Sequence, residues 1–344
     1  MRIAETTLPL AGMPRFMALD GWRGISILLV LAGHLFPLGP KYLNMNECIA
    51  ALGMAIFFTL SGFLITTTLL YRPSVAEFLI RRLCRIVPLA WLFTLIALTL
   101  AKVSFHYYIA QILFFSNLPP FWLTDYTGHL WSLCVEMQFY IAIALTFLAF
   151  GRRGLWSIPV LCLLVTAHRI QEHELISIVT SVRVDEILAG GTLALICNTD
   201  GLPWIRKFFG WVNPFALLIL AVAASNTLCG QICYLRPYFV AGMVGATLFH
   251  EGRTAHFLKV KWLAYIAAVS YALYILHPIV EWGWLGSGTK IVKYAKRIPE
   301  LLAVFGLAHL STFYFEDFWI RKGKQWIKRL SLHRKTHAAD GARR

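Results

Sequence analysis

The chain has 344 residues, of which 58% are hydrophobic and only 14% charged, with a formal net charge of +15. A soluble domain carries about a quarter charged residues, so this composition excludes an ordinary soluble enzyme and marks a multi-pass membrane protein. The excess of Lys and Arg could serve nucleic acid, but its placement follows membrane topology instead.

Residues 1–20, MRIAETTLPLAGMPRFMALD, lack the apolar core and small-residue cleavage site of a removable signal peptide. The first span is therefore expected to act as its own uncleaved signal. Ten spans are predicted, at 22–38, 49–71, 86–101, 128–150, 154–169, 178–197, 211–228, 231–249, 262–282 and 299–318. With the N-terminus inside, 22 Lys and Arg, Arg2 and Arg15 among them, fall on the cytoplasmic side. Only seven fall opposite: Lys41, Lys102, Arg169, Lys290, Lys293, Lys296 and Arg297. That asymmetry is what the positive-inside rule requires. The expected fold is an all-α integral membrane bundle of about ten helices with both termini cytoplasmic. It divides into a membrane domain, 1–320, and a basic tail, 321–344, expected to fray or lie on the inner leaflet.

The segment 103–127, VSFHYYIAQILFFSNLPPFWLTDYT, has an apolar core too short to span. It reads as a re-entrant or interfacial aromatic element on the outer side. The seven cysteines form no C-x-x-C pair. Cys229 and Cys233 stand at a helical i, i+4 spacing that suits a disulfide poorly, and all seven read as small core residues.

Charged or titratable groups within spans are costly and mark functional paths. Arg23 and His34 stand eleven residues apart, which returns to within about 20° on a helix and separates them by roughly 16 Å. Glu136 follows Trp131 and Ser132 at the start of the fourth span, Arg183 and Asp185 open the sixth, and His277 lies toward the end of the ninth. Each has a plainer alternative: Arg23 can snorkel to headgroups, and a lone His or Arg–Asp set can brace neighbouring helices. A neutral imidazole suits removal of a hydroxyl proton, with a carboxylate to orient it. A guanidinium suits phosphate. These groups fit acyl transfer from a phosphate-bearing donor to an alcohol. They fit equally a proton-coupled transporter or flippase for a glycan or small anion. The residues alone leave both open.

The motif series resembles the acyltransferase family 3 membrane proteins over about residues 18–320. LDGWRGISILLVLAGH resembles its opening Arg–His motif, and FFTLSGFLIT, with Ser61, Gly62 and Phe63, its second-span signature. FLIRRLCRIVP resembles the basic motif, carried by Arg81, Arg82, Arg85 and Pro88. HLWSLCVEMQFY resembles the Trp-Ser-Leu-x-x-Glu element, while VRVDEILAGG and SYALYILHPIV resemble two later signatures. The chain departs from the family where Met137 follows Glu136 in place of a second acid, and no C-terminal SGNH-type domain is expected.

The resemblance implies an O-acyltransferase, most simply an O-acetyltransferase, with cytoplasmic acetyl-CoA or another acyl-CoA as donor and no metal. The acceptor it implies is a polysaccharide or lipid-linked glycan, in the inner or plasma membrane of a bacterium, with membrane lipids but no nucleic acid as partners. On this basis His34, Glu136 and Arg23 are the catalytic candidates, His34 as base or transient acyl carrier with Glu136 orienting its imidazole. Arg81, Arg82 and Arg85 are the coenzyme A candidates, and Trp131, Ser132, Arg183, Asp185 and His277 the substrate-binding ones.

Overall fold

Long runs of Leu, Ile, Phe and Ala with few breakers leave the backbone one way to satisfy its polar groups in hydrocarbon, the α-helix. The computed structural model describes residues 17–198, 203–249, 252–282 and 285–341, and among these no strand occurs. The basic residues counted at Arg2, Arg15, Arg343 and Arg344 lie outside the described residues. The first half comprises α1 Met17–Leu35, α2 Met45–Tyr71, α3 Val75–Ala101, α4 Phe105–Ile112, α5 Trp131–Gly154, α6 Ser157–Gln171 and α7 Thr180–Arg183. The second comprises α8 Asp185–Asn198, α9 Pro203–Trp211, α10 Pro214–Ala223, α11 Arg236–Phe249, α12 Arg253–Phe257, α13 Lys261–Leu276, α14 Lys290–Leu310 and α15 Asp317–Gly341. A 3-10 stretch, Thr227–Leu235, leads into α11, another, His277–Glu281, follows α13, and a π-helical turn, Ser311–Glu316, joins α14 to α15.

Among the described residues, seven helical segments are long and apolar enough to cross a membrane: Met17–Leu35, Lys41–Tyr71, Val75–Ala101, Gly128–Gly154, Thr227–Phe249, Lys261–Glu281 and Ile291–Ser331. These segments correspond to seven of the ten predicted spans. The spans predicted at 154–169, 178–197 and 211–228 correspond to helices of 15, 14 and 10 residues, short of the ~20 a crossing needs. The reason is local: Arg183 and Asp185 break the sixth apolar run, and the tenth helix stops at Ala223 before an Asn226-capped 3-10 stretch. The boundary expected at residue 320 falls inside α15, whose Gly323 lies against Cys84 of α3.

The segment 103–127 yields only α4, about 12 Å long, followed by non-helical chain. Protein groups satisfy it: Gln111 Nε2 donates to the Trp122 carbonyl (3.1 Å) and Thr127 Oγ1 (3.0 Å), and Gln138 Nε2 to the Phe114 carbonyl (2.8 Å). All seven cysteines are free thiols.

Two contacts fix where functional groups lie in depth. Helices α1 and α2 run antiparallel, with Asn46 Nδ2 donating to the carbonyls of Gly33 and Phe36 (2.6 Å each). Helices α2 and α8 touch backbone to backbone. A Cβ on Gly62 would sit 1.8 Å from the Ile187 carbonyl oxygen, and one on Gly190 1.9 Å from that of Thr59. Only glycine permits this approach, which brings α8 and its two leading carboxylates against the middle of α2.

Candidate functional site

His34 is exposed near the C-terminal end of α1, at the level where α2 begins. His277 is buried beside it, with ring centroids 5.3 Å apart, and His129 lies 5.3 Å beyond His277. The Nδ1 of His277 is 2.8 Å from the Tyr274 carbonyl. A carbonyl only accepts, so Nδ1 carries the proton and Nε2 keeps its lone pair. Tyr274 donates its hydroxyl to the His129 carbonyl, so the 2.5 Å contact between Ser132 and Tyr274 has Ser132 as donor. The carboxylate whose charge bears on His34 is Glu281, itself paired with Arg297 at 2.7 Å.

Arg23 lies much deeper. Its guanidinium stands 5.9 Å over the Phe57 ring, midway along α2, rather than at a membrane-facing helix end. The snorkelling alternative is thereby replaced by an interior position, in the field of Arg85, Arg82, Glu136 and Asp20. Phe57 stacks on Tyr274 (6.3 Å, 11°), so a line of rings connects Arg23 to the imidazoles over the ~16 Å that helix geometry sets between Arg23 and His34.

Glu136 is buried, and its Oε1 accepts from Ser61 Oγ (2.6 Å) and the Tyr140 hydroxyl (2.5 Å). It does not orient His34. Its partner Ser61 lies fifteen residues along α2 from Asn46, the residue bonded beside His34, which is about 22 Å. Glu136 belongs instead with the arginines. Arg82 stands 5.7 Å over the Tyr140 ring, and Arg85 faces Arg23 and Glu316. Arg81 turns away to Glu77, 3.2 Å distant on its own helix. Glu316 accepts from Ser311 and Thr312 (3.2 Å each) within the π-helical turn, a geometry frequent at functional positions.

The remaining candidates separate. Trp131 packs edge-on to Phe58 (5.8 Å), and the Arg183 guanidinium stands 5.4 Å over Trp131. Arg183 lies 3.3 Å from Glu186 Oε1, which also accepts from Arg236 Nε at 2.6 Å. Asp185, fully buried, is paired with Arg169. Arg169 and Arg297, both expected as loop charges on the far side, are thus buried ion-pair members. Asp185 faces this bracing network and not the line from Arg23 to His34. Among the described residues, no group of three or more His, Cys, Asp or Glu is placed to hold a metal ion.

The family model described as an acyltransferase domain, of the acyltransferase 3 group, matches residues 17–317. The chain belongs to this acyltransferase family. It is 27% identical over 322 residues to an O-acetyltransferase OatA of Staphylococcus aureus (strain NCTC 8325 / PS 47), covering 78% of this chain and 51% of that protein. It is 28% identical over 150 residues to a peptidoglycan O-acetyltransferase OatA of Listeria monocytogenes serovar 1/2a, covering 36% of this chain and 23% of that one. The chain thus spans about half the length of the first of these relatives. No solved structure matches it.

The sequence assigns no role to His129, Tyr274, Glu281 or Glu316. His129 stood in the HLWSLCVEMQFY motif, and Tyr274 precedes His277 by three residues, a helical spacing that puts both on one face. No comparable signal pointed to Glu281 or Glu316.

Proposed function

We propose that this acyltransferase moves an acetyl group from acetyl-CoA to a hydroxyl of a cell-envelope saccharide, working in a bacterial inner or plasma membrane. The observation that carries the proposal is an accessible imidazole, His34, at one end of a continuous line of rings whose other end is the arginine group Arg23, Arg82 and Arg85. The relatives' printed names supply acetyl as the group and a peptidoglycan-type glycan as the acceptor class.

On this reading His34 takes the proton of the acceptor hydroxyl as the oxygen attacks the thioester carbonyl carbon. The carbon–sulfur bond breaks, and the imidazolium returns its proton to the departing thiolate, so one ester and one free thiol form. Glu281 favours the transient imidazolium by its charge. Arg82 and Arg85 hold phosphate groups of the donor by charge-assisted hydrogen bonds, while Arg23 faces the pantetheine arm. Glu136 holds Ser61 and Tyr140 in place around that path.

The test is turnover of labelled acetyl-CoA by the purified full chain in nanodiscs, with cell-wall saccharide as acceptor. Labelled saccharide is expected with wild type and not with His34→Ala. Transfer that survives His34→Ala, or a chain that moves saccharide or protons without consuming donor, overturns the proposal in favour of other chemistry or transport.

A further inference from the structure

Beside His34 lies a group of buried polar atoms that no protein partner satisfies. Glu281 pairs with Arg297 Nη2, but Arg297, 1% exposed, keeps Nε and Nη1 without acceptors. Trp282, next in the chain to Glu281, has an unpartnered indole N–H. Its ring meets Tyr126 (5.1 Å) and Phe93 (5.5 Å), and Phe93 meets His129 (5.4 Å), whose Nε2 is also unpartnered. One turn from Arg297 on α14, both carboxylate oxygens of Glu300 are buried and unbonded. Three N–H donors and several acceptors are therefore left open within one chain of contacts ending at His277 and His34.

Buried polar atoms without partners are rare and each carries a cost. A concentration of them among aromatic rings, next to an accessible base, is the pattern of a binding pocket. A suitable ligand must both accept, from Trp282 and Arg297, and donate, to His129 and Glu300, while laying apolar faces on rings. Sugar hydroxyls do both, and sugar C–H faces pack on aromatic rings.

We infer that Trp282, Arg297, His129 and Glu300, walled by Tyr126 and Phe93, form the saccharide subsite that presents the acceptor hydroxyl to His34. This rests on the reading of His34 as the transfer base. It also moves acceptor recognition away from Asp185, which Arg169 occupies.

The experiment uses the full chain in detergent with a panel of hexose and N-acetylhexosamine oligosaccharides, following binding by calorimetry and transfer by labelled acetyl-CoA. Trp282→Phe keeps the ring and removes the N–H, and Arg297→Lys keeps the charge and removes the fork. Each is expected to weaken saccharide affinity, and raise the acceptor KM, by about tenfold. Donor KM and melting temperature are expected to stay unchanged. His34→Ala is expected to bind saccharide like wild type while transferring nothing. If Arg297→Lys fails to fold, Trp282→Phe alone decides.

Transfer that proceeds with an acceptor KM indifferent to Trp282→Phe means that water satisfies these atoms; the subsite then falls and the proposed function stands. Saccharide binding that depends on Trp282, with no donor turnover in wild type, has the opposite meaning. Absence of any saccharide binding overturns the subsite.

Discussion

Two polar regions about 22 Å apart along α2 differ in the kind of charge they hold. At the His34 end, three imidazoles stand ring to ring, side chains whose neutral form offers a ring nitrogen as a proton acceptor. At the Glu136 level, the guanidinium groups of Arg23, Arg82 and Arg85 share one electrostatic field with Glu136 and Glu316. The first region has an exposed member and open hydrogen-bonding capacity, whereas the Glu136 carboxylate is already engaged by Ser61 and Tyr140. The contrast teaches that the imidazoles and the arginines are held at different levels of one bundle, joined by Phe57 and Tyr274.

If that division holds, the largest effect comes from His34→Ala. Turnover is expected to fall about 10³-fold, in the range of a general base, with acetyl-CoA affinity unchanged in a binding isotherm. A parallel loss of donor affinity would merge the two regions into one site.

Glu136→Ala is expected to act first on the fold. It leaves Ser61 and Tyr140 without the carboxylate to which both donate and should cost about 3–5 kcal/mol, as loss of two hydrogen bonds to a charged group does. Thermal unfolding in detergent measures this, and Glu136→Gln, which keeps an acceptor oxygen, should cost about 1 kcal/mol. An Ala variant that melts like wild type yet is inactive would make Glu136 a chemical participant and not a support.

The sequence carried the helices whose apolar runs are long and unbroken, α1, α2, α3, α5 and α13, and it put Arg23 and His34 on one face. It could not carry the offset between helices. Whether Glu136 meets His34 or Ser61 depends on how far α5 slides along α2, and the bond from Ser61 to Glu136 marks where it comes to rest. Hydropathy also treats an arginine as an exit from the membrane. Arg169 and Arg297 escape that rule because their partners, Asp185 and Glu281, are recognisable only once neighbouring elements fold together. Glu316 reaches the arginine group through a π-helical turn that no spacing rule reveals.

The arginine motif gives the finest test of the comparison, because its three members look equivalent in sequence and are not equivalent in space. Arg82 and Arg85 are three residues apart and face the interior, over Tyr140 and toward Arg23. Arg81 pairs with Glu77 on a partly exposed surface, an interaction worth about 0.3–0.5 kcal/mol. With phosphate groups held by Arg82 and Arg85, Arg82→Gln and Arg85→Gln should each raise the donor KM by about tenfold, the loss expected for one charge-assisted hydrogen bond. The acceptor KM should not move. Arg81→Gln should change neither KM and lower stability by no more than its surface pair. Equal donor effects at all three positions would mean that coenzyme A is drawn by the summed charge of the motif. The geometric distinction between Arg81 and its neighbours would then have no catalytic meaning.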